Sequence, residues 1–511
     1  MVANSNLKKK RYALISTFDK SNLKSICLIL KKFSIEIIST GLTAKHIRKI
    51  GFSCLNVSDL TKFKEILSGR VKTLHPKIHA SLLFDRNNQE HVSTFNSLNF
   101  PKIDFVISNL YSFENVAKSK HNNKIIEMID IGGPTLLRSA AKNFNSVTTV
   151  NSPGLYSSFI REMNINKGST TLDFRKKMAG FVFTLTSSYD LMISNWFNST
   201  SNASLKLDLK NKIPLLYGEN PNQKANVFYA NKTNLHTNQI QGKNLSYNNI
   251  LDIDAATNCM HEFKEPTCVI IKHNNPCGAA SNLTINKAYD RALNADPISS
   301  FGGIVALNRS VDETLSKKII QHFVEIIIAS SFDKKALKVF KERKRLIVIK
   351  LTKNKLTNTH ELKSINGGYL KQEKNLTKIN KRLLVRTSNY KSKLSQLDDL
   401  IFALKICKHI KSNAIVLCKN KKTIGIGAGQ MSRIDACKIA VKKCNKKEKQ
   451  NGFVAASDAF FPFTDNIELL LKNNCKAIVQ PSGSINDKKI IDYINNKKIP
   501  LYFSKNRFFK H

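Results

Sequence analysis

The sequence predicts an α/β protein of two domains. Three observations carry this reading. Short apolar runs alternate with segments of helical spacing in the first part of the chain, the same alternation returns in the second, and a polar stretch without clear periodicity lies between them. A chain of 511 residues, 41% of them hydrophobic, is long enough for two ordinary cores.

Taken in order, "RYALIST" reads as a first strand and "KSNLKSICLILKKF" as a helix. "IEIIST" is a second strand, "TAKHIRKI" a second helix and "FVISNLY" a third strand. Such alternation argues for a parallel sheet covered by helices, with the ligand site in loops at the carboxyl ends of the strands. The polar segment "NSTSNASLKLDLKNKI" reads as the linker, and the expected domains are residues 1–198 and 199–511. A second α/β pattern starts at "PLLYGENPNQ" and continues through "TCVIIKH", "GGIVAL", "NAIVLCK" and "CKAIVQPSG". The stretch 341–394 is Lys-rich and gives no assignment, and no internal repeat is evident by eye.

Ten Cys are scattered, none in a C-x-x-C pair, which argues against a zinc ribbon and against a disulfide framework. No apolar run approaches a membrane span. The N-terminus, "MVANSNLKKKRYALIS", lacks the apolar core and cleavage site of a signal peptide, so the expected location is the cytoplasm. The net charge of +45 raises the question of a nucleic-acid partner. Lys, Asn and Ile are abundant everywhere, loops included, and no basic stripe is interleaved with aromatics as a single-strand platform requires. Compositional drift therefore accounts for most of the charge, and the rest suits anionic small substrates.

Five polar motifs follow expected strands in the first part: "STFDK", "STGLTAK", "GRVKTLHP", "NLYSF" and "DIGGPTLLRSAAKN". Small hydroxyl and Gly residues that open a helix leave backbone N–H groups pointing outward, a geometry suited to phosphate. Lys20, Arg70 and Lys72 would add charge-assisted bonds. In this order the motifs resemble the cyclohydrolase domain of the AICAR transformylase/IMP cyclohydrolase family, and the resemblance extends over nearly the whole chain. It implies a methylglyoxal-synthase-like parallel-sheet domain. It also implies a nucleotide site formed by Ser16, Lys20, Thr40, Gly41, Thr43, Arg70, Thr73, Gly132 and Gly133, with Lys72, Tyr111, Asp130 and Lys142 as catalytic groups. The implied reaction is dehydrative ring closure of FAICAR to IMP. It needs orientation, stabilisation of oxygen charge and a proton relay. Against the family pattern, Leu42 replaces a Gly, Phe18 a Ser and Ser112 a Pro.

In the second part, "CVIIKHNNPCGAA" resembles the family's transformylase signature. The resemblance implies formyl transfer from 10-formyltetrahydrofolate to AICAR, with His273 as general base and Lys272 tuning it and protonating the departing nitrogen. It assigns Asn420 to the formyl oxygen, Phe460 and Asp465 to the folate and transfer site, Arg507 to the nucleotide phosphate, and Tyr217, Phe301 and Gly302 to substrate binding. It further implies a cytidine-deaminase-like α/β region without zinc. The zinc-deaminase pattern itself, H-x-E with P-C-x-x-C, is not met around His273 and Cys277. No metal is expected, and a homodimer is implied. "LLYGENPNQ" departs from the family with Leu216 for an Arg and Asn222 for a His. Loss of that Arg costs roughly 1.5–3 kcal/mol of phosphate binding unless Arg343, Lys344 or Arg507 compensates. The rival readings are a cyclohydrolase with a weakened or decayed transformylase half, and a basic nucleotide- or RNA-binding protein.

Overall fold

A computed structural model describes residues 10–111, 113, 122–198, 209, 211–229, 238–351 and 359–511. Ser112 and most of the expected linker lie outside the described residues. The chain divides into two compact units, Met1–Asp208 and Leu209–His511.

The first unit holds five parallel strands: β1 (Arg11–Thr17), β2 (Ile35–Ser39), β3 (Leu55–Asn56), β4 (Ile103–Asn109) and β5 (Thr148–Val150). Their order in the sheet is β3-β2-β1-β4-β5. Helices cover both faces, so the middles of β1 and β4, Ala13 to Ile15 and Phe105 to Ile107, are apolar and buried without alternation. Ala13, Ile15, Phe105 and Ile107 pack on one side with helices Leu23–Lys32 and Tyr156–Ile165. Leu14, Ile38 and Val106 pack on the other with helices Pro76–Leu83, Gly132–Lys142 and Leu172–Phe197. The chain winds from β1 toward β3 and then returns to β4, so a crevice opens beyond the carboxyl ends of β1 and β4.

The second unit contains two small hairpins, β6 (Asn211–Pro214) with β7 (Asn226–Tyr229) and β14 (His360–Ile365) with β15 (Gly368–Glu373). Its core is one twelve-stranded mixed sheet. One half has β8 (Gln239–Gln241), β9 (Thr267–Lys272), β10 (Asn275–Ser281), β11 (Ile304–Leu307), β12 (Ile326–Ala329) and β13 (Ile347–Lys350). The other has β16 (Leu384–Arg386), β17 (Ile415–Lys419), β18 (Lys422–Gly427), β19 (Phe453–Ser457), β20 (Cys475–Pro481) and β21 (Leu501–Ser504).

The order β16-β21-β20-β19-β17-β18-β10-β9-β11-β12-β13-β8 is a palindrome of type. Outward from the central β10–β18 contact, each half runs hairpin, antiparallel step, two parallel strands and an antiparallel edge strand. A 14-residue helix precedes each hairpin, Tyr247–Met260 and Leu394–Cys407. The chain thus carries an internal repeat that inspection of its sequence missed. The repeat survives in backbone geometry rather than in side-chain identity. Gly278 and Gly425 show what is shared. Each sits three residues into the second hairpin strand, and a Cβ there would lie 2.2 Å from the Ala292 carbonyl oxygen and 2.1 Å from that of Ala440. Only glycine lets the helix pack so closely on the strand.

Candidate functional sites at a switch point and a hairpin tip

In the first unit, β1 ends at Ser16–Thr17 and β4 at Asn109, side by side. The Asn109 carboxamide accepts the N–H groups of Phe18 and Asp19 at 2.7 and 2.9 Å and donates to the Asp19 carbonyl at 2.8 Å. This fixes the loop that carries Lys20, whose amine turns back to the Phe18 carbonyl at 3.0 Å. Ser16 Oγ lies 3.4 Å from Thr40 Oγ1, and Thr43 Oγ1 bonds both the N–H and the C=O of Thr17. The helix Gly41–Lys49 thereby aims its N-terminus at the crevice.

Lys72 reaches the same place: a Cβ on Gly41 would stand 3.5 Å from its amine, which also pairs with Glu65 at 3.1 Å. Arg70 is ion-paired with Glu127. Thr73 Oγ1 would lie 3.1 Å from a Cβ on Gly132, which opens the helix Gly132–Lys142. Asp130 bonds the Gly133 N–H at 2.8 Å, and its own N–H donates to the Tyr189 hydroxyl at 2.7 Å. Burial raises the Asp130 carboxyl above the ordinary aspartate value, with the Gly133 N–H pulling the other way. Tyr111 is 38% exposed, its ring edge-on to Phe18 at 5.0 Å between centroids. Leu42 points its side chain to solvent, 74% exposed. Lys142 is exposed at the far end of the helix that Gly132 opens. It occupies the last turn of its helix, ten residues beyond Gly132, or about 15 Å along the axis at 1.5 Å per residue.

In the second unit, Lys272 and Asn275 are paired across β9 and β10, so His273–Asn274 is a two-residue hairpin loop. Both residues have positive φ, 52° and 62°, the geometry of a type I′ turn. Lys272 and His273 therefore stand on a hairpin tip rather than at a free strand end. Asp252, from the preceding helix, accepts the Asn274 N–H at 2.6 Å; burial raises its carboxyl, offset by the turn's N–H groups and by His273. The Lys272 amine donates to the Phe301 carbonyl at 2.6 Å. Phe301 is 63% exposed and packs on Phe323, and Gly302 takes φ of 74° to bond the Phe323 carbonyl.

The same end of the sheet gathers the other groups. Asn275 bonds the His273 carbonyl at 3.0 Å and accepts the Lys411 N–H at 2.9 Å. Beyond Lys411 lie Ser412, Asn413 and the loop 428–431 that leads to helix Arg433–Lys443. Phe460 and Asp465 follow β19 here, and the C-terminal segment returns to this end with Arg507 exposed over the Phe509 ring at 4.3 Å. Tyr217 accepts the Tyr247 N–H through its carbonyl, which seats the "LLYGENPNQ" turn at the N-terminus of the helix carrying Asp252. Leu216 is 52% exposed and makes only a backbone bond to Leu245 among its hydrogen bonds here. A cavity of about 530 Å³ at the amino ends of β12 and β13 is lined by Lys243, His322, Phe323, Arg343, Lys344 and Arg345, among others.

Asn420 does not join this group. It forms the tip of the other hairpin, β17–β18, with Lys421; both have φ of 52°. Because Ala280 pairs with Lys422 in antiparallel sense, that tip lies at the opposite edge of the sheet. Asn275 and Ala280 are five residues apart, which is about 17 Å at 3.4 Å per residue. The asparagine at the His273 end is Asn413, which motif matching overlooked. Its amide donates to the Gln430 and Met431 carbonyls at 2.9 and 3.1 Å and accepts from Arg433 at 2.7 Å.

Among the described residues, no cluster of His, Cys, Asp or Glu is arranged to hold a metal ion, and no helix is long and apolar enough to cross a membrane. All ten cysteines are free thiols.

Comparison with known proteins completes the picture. A family model described as AICARFT/IMPCHase bienzyme matches residues 140–443, and one described as MGS-like domain matches residues 23–135. The chain is 44% identical to the bifunctional purine biosynthesis protein PurH of Caldicellulosiruptor saccharolyticus, over 98% of this chain and 99% of that protein. It is also 44% identical to the protein of that name from Fusobacterium nucleatum, over 98% of this chain and all of the relative. A five-stranded parallel sheet in the region of the MGS-like match, a second α/β unit and full-length relatives at this identity place the chain in the AICAR transformylase/IMP cyclohydrolase family.

Proposed function

We propose that the two constellations divide the family's two reactions between them, ring closure at the β1–β4 crevice and formyl transfer at the His273 hairpin tip. As a family member the chain is a bifunctional enzyme of purine biosynthesis, an AICAR formyltransferase and IMP cyclohydrolase that uses 10-formyltetrahydrofolate as co-substrate.

In formyl transfer the AICAR amine attacks the formyl carbon of the folate. Its lone pair is delocalised into the ring, so it needs a base as it attacks. His273 takes the amine proton, and the tetrahedral centre then collapses with loss of the folate N10, which Lys272 protonates. The observation that carries this assignment is the tip geometry. A type I′ turn lifts the imidazole clear of the sheet, while the Phe301 carbonyl holds the Lys272 amine 2.6 Å away. Asp252 fixes the turn from below. Phe301, Gly302, Phe460, Asp465, Tyr217 and Arg507 form the surrounding binding surface.

In ring closure the FAICAR carboxamide nitrogen attacks its own formyl carbon, and water leaves. Ser16, Thr40, Gly41 and Thr43 with Lys20, Arg70 and Thr73 receive the phosphate at helix N-termini. The substrate phosphate displaces Glu65 and Glu127 from Lys72 and Arg70. Lys72 and Tyr111 move protons, and Asp130, held by the Gly133 N–H, orients the amide. We further infer a homodimer acting in the cytoplasm.

Assaying the two reactions separately on the full chain tests the division. Replacing Lys272 and His273 by Ala is expected to abolish formyl transfer while leaving cyclisation of added FAICAR near the parental rate. Equal loss of both reactions in a folded protein would overturn it.

A further inference from the structure

Asp458 is fully buried at the carboxyl end of β19, and three other segments of the second unit meet on it. Its carboxylate is ion-paired with the buried Arg433 and accepts the Ser412 hydroxyl at 2.5 Å. Its carbonyl accepts the Phe508 N–H at 2.9 Å, and its N–H reaches the Ala414 carbonyl at 3.3 Å. Arg433 also donates to Ser457 Oγ at 2.9 Å and to Asn413 Oδ1 at 2.7 Å. The backbone of Ser412 is in turn bonded to the Lys510 carbonyl at 2.9 Å.

We propose that Asp458 is the positioning residue that assembles the formyl-transfer site through Arg433, Ser412 and the C-terminal segment. Phe460 lies two residues after it in sequence, and Arg507 immediately precedes the Phe508 whose N–H it binds. On the far side, Lys411 directly precedes Ser412 and donates to Asn275, which holds the His273 carbonyl. One buried carboxylate therefore sets the spacing between the folate-side aromatic, the phosphate-side arginine and the turn that bears the base. Arginine suits the partner position because its planar fork serves Asp458, Ser457 and Asn413 at once, which a lysine cannot do. Asp458 itself touches no reacting atom.

The inference rests on the assignment of formyl transfer to the His273 end of the sheet, which the Lys272/His273 double replacement tests by itself. The experiment here compares Asp458→Asn, Arg433→Lys and Ser412→Ala in the full chain. It measures formyl transfer per folded molecule, the KM for AICAR and for the folate, ring closure, and urea unfolding. A misplaced site loses about tenfold or more in kcat, so Asp458→Asn and Arg433→Lys are expected to fall by that factor. Ser412→Ala, which removes one bond and leaves the ion pair, should fall less and in the same direction. Ring closure, in the other unit, stays at the parental rate. If the first two variants do not fold, Ser412→Ala decides by the same measure. Parental kcat in any folded Asp458 or Arg433 variant, or in Ser412→Ala where it is the deciding variant, overturns the proposal, even if unfolding shifts to lower urea; that result would leave Asp458 a purely structural group. A parental Lys272/His273 double variant would instead move the whole reaction elsewhere.

Discussion

Two hairpins in the second unit are built to one plan. In each, a lysine closes the first strand, a two-residue loop with positive φ follows, and an aspartate on the preceding helix accepts the loop's N–H groups. Lys272 bonds the Phe301 carbonyl at 2.6 Å, and Lys419 bonds the Asn451 carbonyl at 2.9 Å. Their surroundings differ. Around His273 stand exposed aromatics, the C-terminal arginine and the 411–413 segment. Around Asn420 the cations are matched: Lys421 pairs with Glu265, Lys422 with Glu448, and Arg291 bonds the Asn420 carbonyl. The same backbone device thus supports an open tip bearing an imidazole and a tip closed by ion pairs. Chemistry resides in what a scaffold position carries and leaves unmatched, and shared backbone geometry does not by itself make a site.

The largest effect separates the tips directly. Replacing Lys419 and Asn420 by Ala in the full chain is expected to leave formyl transfer within a few-fold of the parent, against its abolition in the Lys272/His273 variant. Formyl-transfer rates at saturating AICAR and folate check this. Abolition by the Lys419/Asn420 change would restore Asn420 to the transfer site and break the distinction.

The N-terminal site was legible because its signals are local. The ends of β1, β2 and β4 run straight into "STFDK", "STGLTAK" and "NLYSF", whereas "GRVKTLHP" and "DIGGPTLLRSAAKN" follow the short helices Leu67–Gly69 and Asn122–Glu127 and not strands as expected. The second unit was legible as strands but not as a site map. His273 gives no local hint of positive φ, so its turn read as a strand end. A linear match cannot tell which edge of a sheet a hairpin tip occupies, so Asn420 was grouped with His273 and Asn413 was passed over. Asp252, Asp399 and Asp458 act through burial and long-range bonds, which leave no motif around them.

The next effect concerns the two supporting aspartates. Asp399 accepts the Asn420 and Lys421 N–H groups at 2.8 and 2.6 Å, one on each carboxylate oxygen. Asn can replace only one of those acceptors, so Asp399→Asn is expected to cost about 1–2 kcal/mol of unfolding free energy and nothing in formyl transfer. Asp252→Asn should lower formyl transfer roughly tenfold by loosening the turn under His273. Burial raises both carboxyls above the ordinary aspartate value of 3.8. The folded state then holds these protons to higher pH than the unfolded chain does. Each Asp therefore loses stability relative to its Asn variant as pH rises from 3.8 through its raised value. Urea unfolding across pH 3–6, a range of about three units around that ordinary value, measures the sign, and a difference that grows with pH in the parent's favour would be the wrong one.

A smaller effect sits beside the active tip. Leu216 offers neither donor nor charge in the turn seated against the helix of Asp252. Leu216→Arg is expected to lower the AICAR KM by about tenfold, the equivalent of 1.4 kcal/mol, with kcat little changed, as when uniform binding is gained. An unchanged KM would mean that another cation, with Arg507, Arg343 and Lys344 the candidates, already grips the phosphate.

The smallest effect is expected at the closed tip, where the Lys-rich helix Lys446–Gln450 lies. It is anchored there through Glu448 to Lys422 and through the Asn451 carbonyl to Lys419. Changing Lys446, Lys447 and Lys449 to Gln lowers the net charge from +45 to +42. Screening in physiological salt acts over about 8 Å, and the stretch Asn275 to Ala280 that separates the two tips alone spans about 17 Å. Charge at the closed tip is therefore felt only faintly at the other. Formyl transfer and AICAR affinity are expected to stay within twofold or so of the parent at physiological salt, with a larger shift only at low ionic strength. A tenfold loss of AICAR affinity at physiological salt would show that these lysines bind substrate directly, and the closed tip would then be a second anion site rather than a relic of the shared plan.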